Sequence, residues 1–362
     1  MDKSSNRGTD FKDLPSVSLS FDFETSAQTA DPVLKSKIKS RLINVLNHLG
    51  FTEKDLSGGF GRGYGNRIGA EMILKIFKKY NIKATWFSTG HVLLRGNKNR
   101  QGFRINQKLP YALAEAGFSS ATTWRVLNPS FYHEPFSNYR KFPYYYLGDL
   151  AQKLKQEGHD IQCHSFSHPY ISMEPIGNIK KDLEDWQNLA EKIGFGRSRI
   201  FAFPFLGDYH YTDPQSGLKM MPSFRKQGRA YEISYLDEGK LEIFKNAGFE
   251  LFTRCGTMQN YGLLSGFIPY RNSEIYCMKD IGLLSFKDNA AFMKFLDEVF
   301  LKKATVDMWL HPNDILIPQK LDLFKSYVDT LVQYRDHGKI WLCTISEQWE
   351  RFKREKHLIN NL

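Results

Sequence analysis

Two histidines stand four residues apart in "HSFSHP", residues 164–169, directly after the short apolar run "DIQC". On a helical turn that spacing puts both imidazoles on one face, where they can reach a single metal ion, and Pro169 limits how far the turn can wander. Paired histidines also serve as packing or capping residues, so the spacing alone leaves both readings open. A second cue is "SVSLSFDFET", residues 16–25. Val17, Leu19, Phe21 and Phe23 share one parity of a strand, while Ser16, Ser18, Ser20, Asp22 and Glu24 share the other. Two carboxylates side by side repel, so they mark either a solvated strand end or a place where a cation holds them. Two imidazoles, one carboxylate and one open position form a known catalytic zinc arrangement. His311, in "VDMWLHPND", is a third candidate. By itself it reads as a structural histidine, and in company with the others as a general acid. His159 begins its strand and reads as structural. Cys163 adjoins His164 and faces the opposite way, which argues against a ligand role.

The elements that would position these groups alternate between strand and helix. After the opening strand, residues 30–69 contain "GGFGRGYGNRIG" (58–69), which reads as a turn-rich loop because no apolar strand runs into it. "AEMILKIFKKY" (70–80) has helical spacing and "IKATWFSTG" (82–90) reads as a buried strand. Residues 91–142 form a long aromatic and basic interruption. Helix is expected at "YYYLGDLAQKLKQEG", strand at "HDIQC", helix over 176–193, strand at "RIFAFPF" (199–205), and an irregular insertion over 206–236. Beyond it, "KLEIFKNAG", "AAFMKFLDEVFLKK", "QKLDLFKSYVDTLVQYRDHG" and "SEQWERFKRE" read as helices, the last with a Ser cap. Between them "FELFTRCG", "TVDMWLH" and "KIWLCT" read as strands. The pattern predicts an α/β fold, a deformed (β/α) barrel of about seven parallel strands. Residues 1–15 are an N-terminal extension, and 16–362 form a single domain with insertions near 30–69, 91–142 and 206–236. In such a barrel Glu24, His164 and His311, all at C-terminal strand ends, converge on one mouth.

The 362 residues carry a net charge of +11, which points to an anionic partner. Residues 95–108, "RGNKNRQGFRINQK", hold Arg95, Lys98, Arg100, Arg104 and Lys108 without an acid. They read as a solvated basic loop or an anion-binding one. Nucleic acid is not expected, since there is no helix-turn-helix, zinc-finger or RNA-platform signature. No stretch approaches the ~18 apolar residues of a membrane span. The N-terminus lacks the apolar segment of a secretory signal, and the four cysteines are scattered without a CxxC pair. A cytoplasmic location is therefore the expectation.

In order and spacing, "SLSFDFE", "IKATWFSTGH", "GHDIQCHSFSHPYIS", "FAFPFLGDY" and "MWLHP" resemble the polysaccharide deacetylase family, the NodB-homology domain of carbohydrate esterase family four. The resemblance runs from about 16 to 350 and covers the insertions at 91–142 and 206–236 poorly. It implies a deformed barrel, zinc or a related divalent metal, and removal of acetyl groups from N-acetylated sugars. His164 and His168 match the family's metal-binding histidines. Asp22 matches its general base. Phe23 stands where the second aspartate, the usual ligand, would be, and Glu24 fits a D-x-E variant with the ligand two residues on. The swapped assignment, Asp22 as ligand and Glu24 as base, stays open. Ala202 stands where many members have an arginine beside the base, so the partner orienting Asp22 is not identified. Trp309 replaces a leucine two residues before His311 and either shapes the acyl pocket or belongs to the core.

On this resemblance Glu24, His164 and His168 hold the metal, expected to be Zn2+. Asp22 takes the proton of the attacking water. The backbone N–H of Phe205 helps to hold the oxyanion, and His311 protonates the departing amine. The expected substrate is an acetylated amino sugar within a glycan, a nucleotide sugar or a lipid-linked precursor. It is expected to be anionic and met at the inner membrane face, with Arg100 and Arg104 suited to its phosphates. A deformylase or cyclic-amide hydrolase on the same fold, and a non-catalytic glycan-binding relative, are the alternatives.

Overall fold

The computed structural model describes residues 14–24, 62–96, 138–140, 143, 146–215, 217, 219–220, 230–262, 264 and 266–360. Arg100, Arg104 and most of the stretches 30–69 and 91–142 lie outside them. The chain runs through β1 (Ser16–Phe23), α1 (Arg62–Tyr80), β2 (Thr85–Ser88), α2 (Gly148–Gln156), β3 (Asp160–Cys163), α3 (Ile176–Lys192) and β4 (Ile200–Ala202). Three short strands follow, β5 (Tyr209–Thr212), β6 (Lys219–Met220) and β7 (Glu232–Tyr235), then α4 (Glu238–Asn246) and β8 (Leu251–Thr253). The last third holds β9 (Phe267–Pro269), β10 (Tyr276–Met278), β11 (Asp280–Gly282), α5 (Asn289–Leu301), β12 (Thr305–Leu310), α6 (Pro318–Asp336), β13 (Trp341–Cys343) and α7 (Ile345–Asn360).

The main sheet has the order β11-β12-β1-β2-β3-β4-β8-β10-β9, with β13 also paired to β1. Its pairings are parallel apart from β9 on β10. This is a deformed (β/α) barrel in which β1 pairs with three strands, β12, β13 and β2. Both parities of β1 are buried. Phe21 stacks on Trp86 with centroids 4.4 Å apart and meets Phe77 of α1 at 5.7 Å. The serine parity instead meets polar groups: Ser18 and Ser20 donate to the two carboxylate oxygens of Asp307 at 2.7 and 2.6 Å. A small hydroxyl at each step leaves room for a buried charge, and that charge continues upward to Asp22.

Three local readings change. The glycine-rich stretch from Arg62 onward is the first part of α1, not a loop. A Cβ on Gly69 would lie 1.8 Å from the Pro312 carbonyl oxygen, so the glycine is there for close packing against the segment after β12. The insertion over 206–236 holds the antiparallel sheet β6-β5-β7. Its strands of two to four residues are too short to show a period. The last helix is capped by Thr344 rather than a serine. The Thr344 and Glu347 side chains exchange hydrogen bonds with each other's backbone N–H at 3.2 and 2.7 Å. The four cysteines are free and buried, and no described helix is long and apolar enough to cross a membrane.

Candidate active site at the barrel mouth

Glu24 follows the last residue of β1, and its carbonyl accepts a 2.8 Å hydrogen bond from the Asn66 side chain of α1. Its carboxylate Oε1 lies 2.9 Å from His168 Nε2 and 3.3 Å from His164 Nε2, and the two nitrogens are 3.2 Å apart. All three residues are buried. His164 continues the β3 ladder, its N–H donating to the Ser88 carbonyl at 3.0 Å. His164 Nδ1 sits 2.9 Å from the Ala202 carbonyl, which fixes the tautomer and leaves Nε2 bare toward Glu24. This set of two imidazole nitrogens and one carboxylate oxygen fits a divalent ion.

The turn that carries His168 is not helical. Ser165 and His168 have φ of 63° and 58°, so the i, i+4 spacing brings the rings together through an irregular loop. Asp182 of α3 holds that loop, accepting from the N–H of Phe166 at 2.6 Å and of Ser167 at 2.9 Å, and from the Ser167 hydroxyl. Ser165 Oγ accepts the His168 N–H at 2.8 Å. Nδ1 of His168 makes no hydrogen bond among the described residues, and its ring is set instead by Phe205, with centroids 4.5 Å apart. Beneath the loop only a glycine fits at residue 90, since a Cβ there would meet the Phe166 ring at 2.1 Å.

Asp22 faces a different partner. Arg254, at the end of β8, is 1% exposed, and its Nε lies 3.1 and 3.3 Å from the two Asp22 oxygens. Its Nη1 reaches Asp280 at 3.0 Å and Asp307 at 3.1 Å, and Nη2 donates to Ser20 at 2.8 Å. The guanidinium also packs over Trp309 at 4.6 Å and Phe87 at 5.4 Å. Burial works against its charge, but Asp22, Asp280 and Asp307 raise its pKa further still. Sequence reasoning missed this residue. The usable signal was its place in "FELFTRCG", a charge at a strand's C-terminal end like His164 and His311. Asp307 shares a strand parity with Trp309 and His311, which was a second signal.

His311 completes the mouth. Its Nε2 is 3.8 Å from Glu24 Oε1, and its Nδ1 is 3.5 Å from Asp314. Burial opposes protonation, but the Asp314 hydrogen bond and the charges of Glu24 and Asp22 push its pKa up to about 9. Burial likewise opposes ionisation of Glu24, yet His168, His164 and His311 hold that carboxyl well below the usual range. In His168 burial dominates and lowers the pKa in spite of Glu24. The Trp309 ring lies 5.5 Å from the His311 ring, between acid and guanidinium. Phe205 has φ of 58° in the turn after Pro204 and lies beside His168. His159 is buried at the other end of β3, where its Nδ1 accepts the Ala84 N–H at 3.2 Å. Cys163 is buried, and burial holds its thiol pKa well up.

Residues 59–215 match the family model for polysaccharide deacetylases. That segment contains His164, His168 and Phe205 but not the β1 acids or His311. Among solved structures, a Mycobacterium smegmatis protein provisionally described as a polysaccharide deacetylase is similar at 11% identity. The alignment covers 94% of this chain and 92% of that one, with a TM-score of 0.51. The allantoinase PuuE is similar at 11% identity over 93% of this chain and 89% of its own, with a TM-score of 0.50. These likenesses show the fold. No curated protein matches the chain by sequence. The family match is confined to residues 59–215, and around that segment the solved structures show the barrel fold alone.

Proposed function

We propose that this protein is a metal-dependent N-deacetylase that removes the acetyl group from an acetamido sugar in a glycan, a nucleotide sugar or a lipid-linked precursor. The observation that carries the reading is the meeting of Glu24, His164 and His168 on one point, with His164 Nδ1 tied to a backbone carbonyl. A divalent ion such as Zn2+ held by these three side chains would supply Lewis acidity to the acyl carbonyl and to the attacking water. The remaining steps belong to the chain. Asp22 accepts the proton of the attacking water, and Arg254 Nε fixes the orientation of its carboxylate. Phe205 beside His168 and Trp309 beside His311 supply the apolar surfaces for the acyl group. His311 Nε2, with Asp314 at its other nitrogen, gives its proton to the departing amine.

The company of each acid supports Glu24 as ligand and Asp22 as base, in the D-x-E sense: Glu24 faces imidazoles and Asp22 faces a guanidinium. The basic run 95–108 supports an anionic substrate. Replacing Arg100 and Arg104 by Gln should raise KM and flatten its salt dependence. The likeness to PuuE favours one other reading, hydrolysis of a small cyclic amide. Metal analysis with product identification decides between them. Chelator-sensitive acetate release from acetamido sugars supports the proposal. A ring-opened product supports the alternative, and turnover that survives complete metal removal contradicts both.

A further inference from the structure

Arg254 reaches Asp22 from an unusual backbone position. Its φ of 57° is left-handed, a conformation that a residue with a Cβ keeps only where its surroundings impose it. Two carboxylates flank that position. On the β8 side Asp280 accepts from the Thr253 hydroxyl at 2.8 Å and from the Arg254 N–H at 2.6 Å. On the far side Asp208 accepts from the Gly256 N–H at 2.6 Å, from the Thr257 N–H at 3.4 Å and from the Thr257 hydroxyl. The Tyr270 hydroxyl adds a longer bond to Asp208 at 3.3 Å.

Asp208 comes to this turn from the end of another strand. It closes the turn after β4, where Phe205 and Leu206 have φ of 58° and 56°. Gly256 keys the two turns together, since a Cβ there would lie 2.3 Å from the Tyr209 ring and 2.8 Å from the Leu206 carbonyl oxygen. Folding alone does not ask for an acid here. Asp208 is 0% exposed and pairs with no cation among the described residues, and burial pushes its carboxyl up to about 6 in spite of the bonds it accepts. A carboxylate is acceptor-only, so it can take two successive N–H groups and a hydroxyl at once. Asparagine, half donor, cannot.

We propose that Asp208 is a positioning residue for the proton transfer at Asp22. By fixing the backbone of 256–257 it holds the Arg254 turn, and with it Nε against the Asp22 carboxylate. The reaction served rests on the deacetylase reading, whereas the placement of Arg254 is measurable without turnover. The test follows Asp208→Asn in the metal-loaded full chain by NMR of the arginine side chains and by acetate release. The Arg254 Nε–H signal, assigned by its absence in Arg254→Lys, should shift in the folded variant and exchange with solvent about tenfold faster. Turnover should fall about 10²-fold in kcat with KM nearly unchanged, as for a misplaced reacting group. Asp208→Asn combined with Arg254→Lys should lose little more than Arg254→Lys alone, because both substitutions act through one side chain. If Asp208→Asn does not fold, Thr257→Val removes one of the bonds and should move the same signal in the same direction. An unmoved Arg254 signal in folded protein, or losses that multiply in the double variant, overturns the proposal. If the wild type releases no acetate, the deacetylase reading falls, and the Arg254 signal by itself decides for or against Asp208.

Discussion

The two sides of the barrel mouth hold carboxylates in opposite ways. Glu24 is surrounded by imidazoles and needs a cation to complete the set, whereas Asp22 already has one in Arg254. Only two residues apart on one strand parity, the acids are separated by what other elements bring to them. β3 and its loop bring His164 and His168, and β8 brings Arg254. The imidazole side is therefore built to receive an ion. The guanidinium side holds the Asp22 carboxylate in one orientation. Like charges at that spacing are tolerable because Arg254 already offsets one and a cation among the imidazoles would offset the other.

If that division is right, the largest loss comes from the ion side. Glu24→Gln should lower turnover to the level of chelator-treated wild type, measured as acetate release with and without added zinc. Asp22→Asn should lower kcat by about 10²–10⁴, the usual worth of a positioned base. Arg254→Met strands three carboxylates in the interior and should lower stability by about 3–5 kcal/mol in a denaturant titration. Arg254→Lys keeps the charge but not the fork. It should fold and lose about 10²-fold in kcat, with KM nearly unchanged. An equal loss of metal affinity in that variant would break the comparison.

The smallest effect belongs to the support of the histidine loop. Asp182→Asn should weaken metal affinity about 10–100-fold, as loss of an outer hydrogen-bonding partner does. Burial pushes the Asp182 carboxyl from 3.8 up to about 6, so the folded state binds the proton more tightly than the unfolded chain. Its contribution to stability is then complete below the unfolded pKa and lost as pH rises through about 6. Thermal melts of wild type and Asp182→Asn across that window should converge toward the upper end, after a wild-type advantage at the lower end.

Much of this was legible in the residues. The strand parity of 16–24 and the convergence of Glu24, His164 and His311 follow from period and from strand ends meeting at one mouth. The two histidines of 164–169 do meet, though through left-handed residues rather than a helical turn, because ring positions depend on Asp182 and Gly90 from outside the motif. The glycines of 62–69 look like loop in isolation. Only the packing of α1 against Pro312 shows why a helix would carry them, and that helix supplies Asn66 to the Glu24 carbonyl. Arg254 was hidden for a related reason. Its partners lie on β1, β11 and β12, and no local pattern joins residues so far apart.

The division of labour between the two acids is tested most directly by the metal content of Asp22→Asn and Glu24→Gln after dialysis against trace zinc. The account predicts about one ion per chain in Asp22→Asn and none in Glu24→Gln. Retention by Glu24→Gln with loss in Asp22→Asn would contradict it.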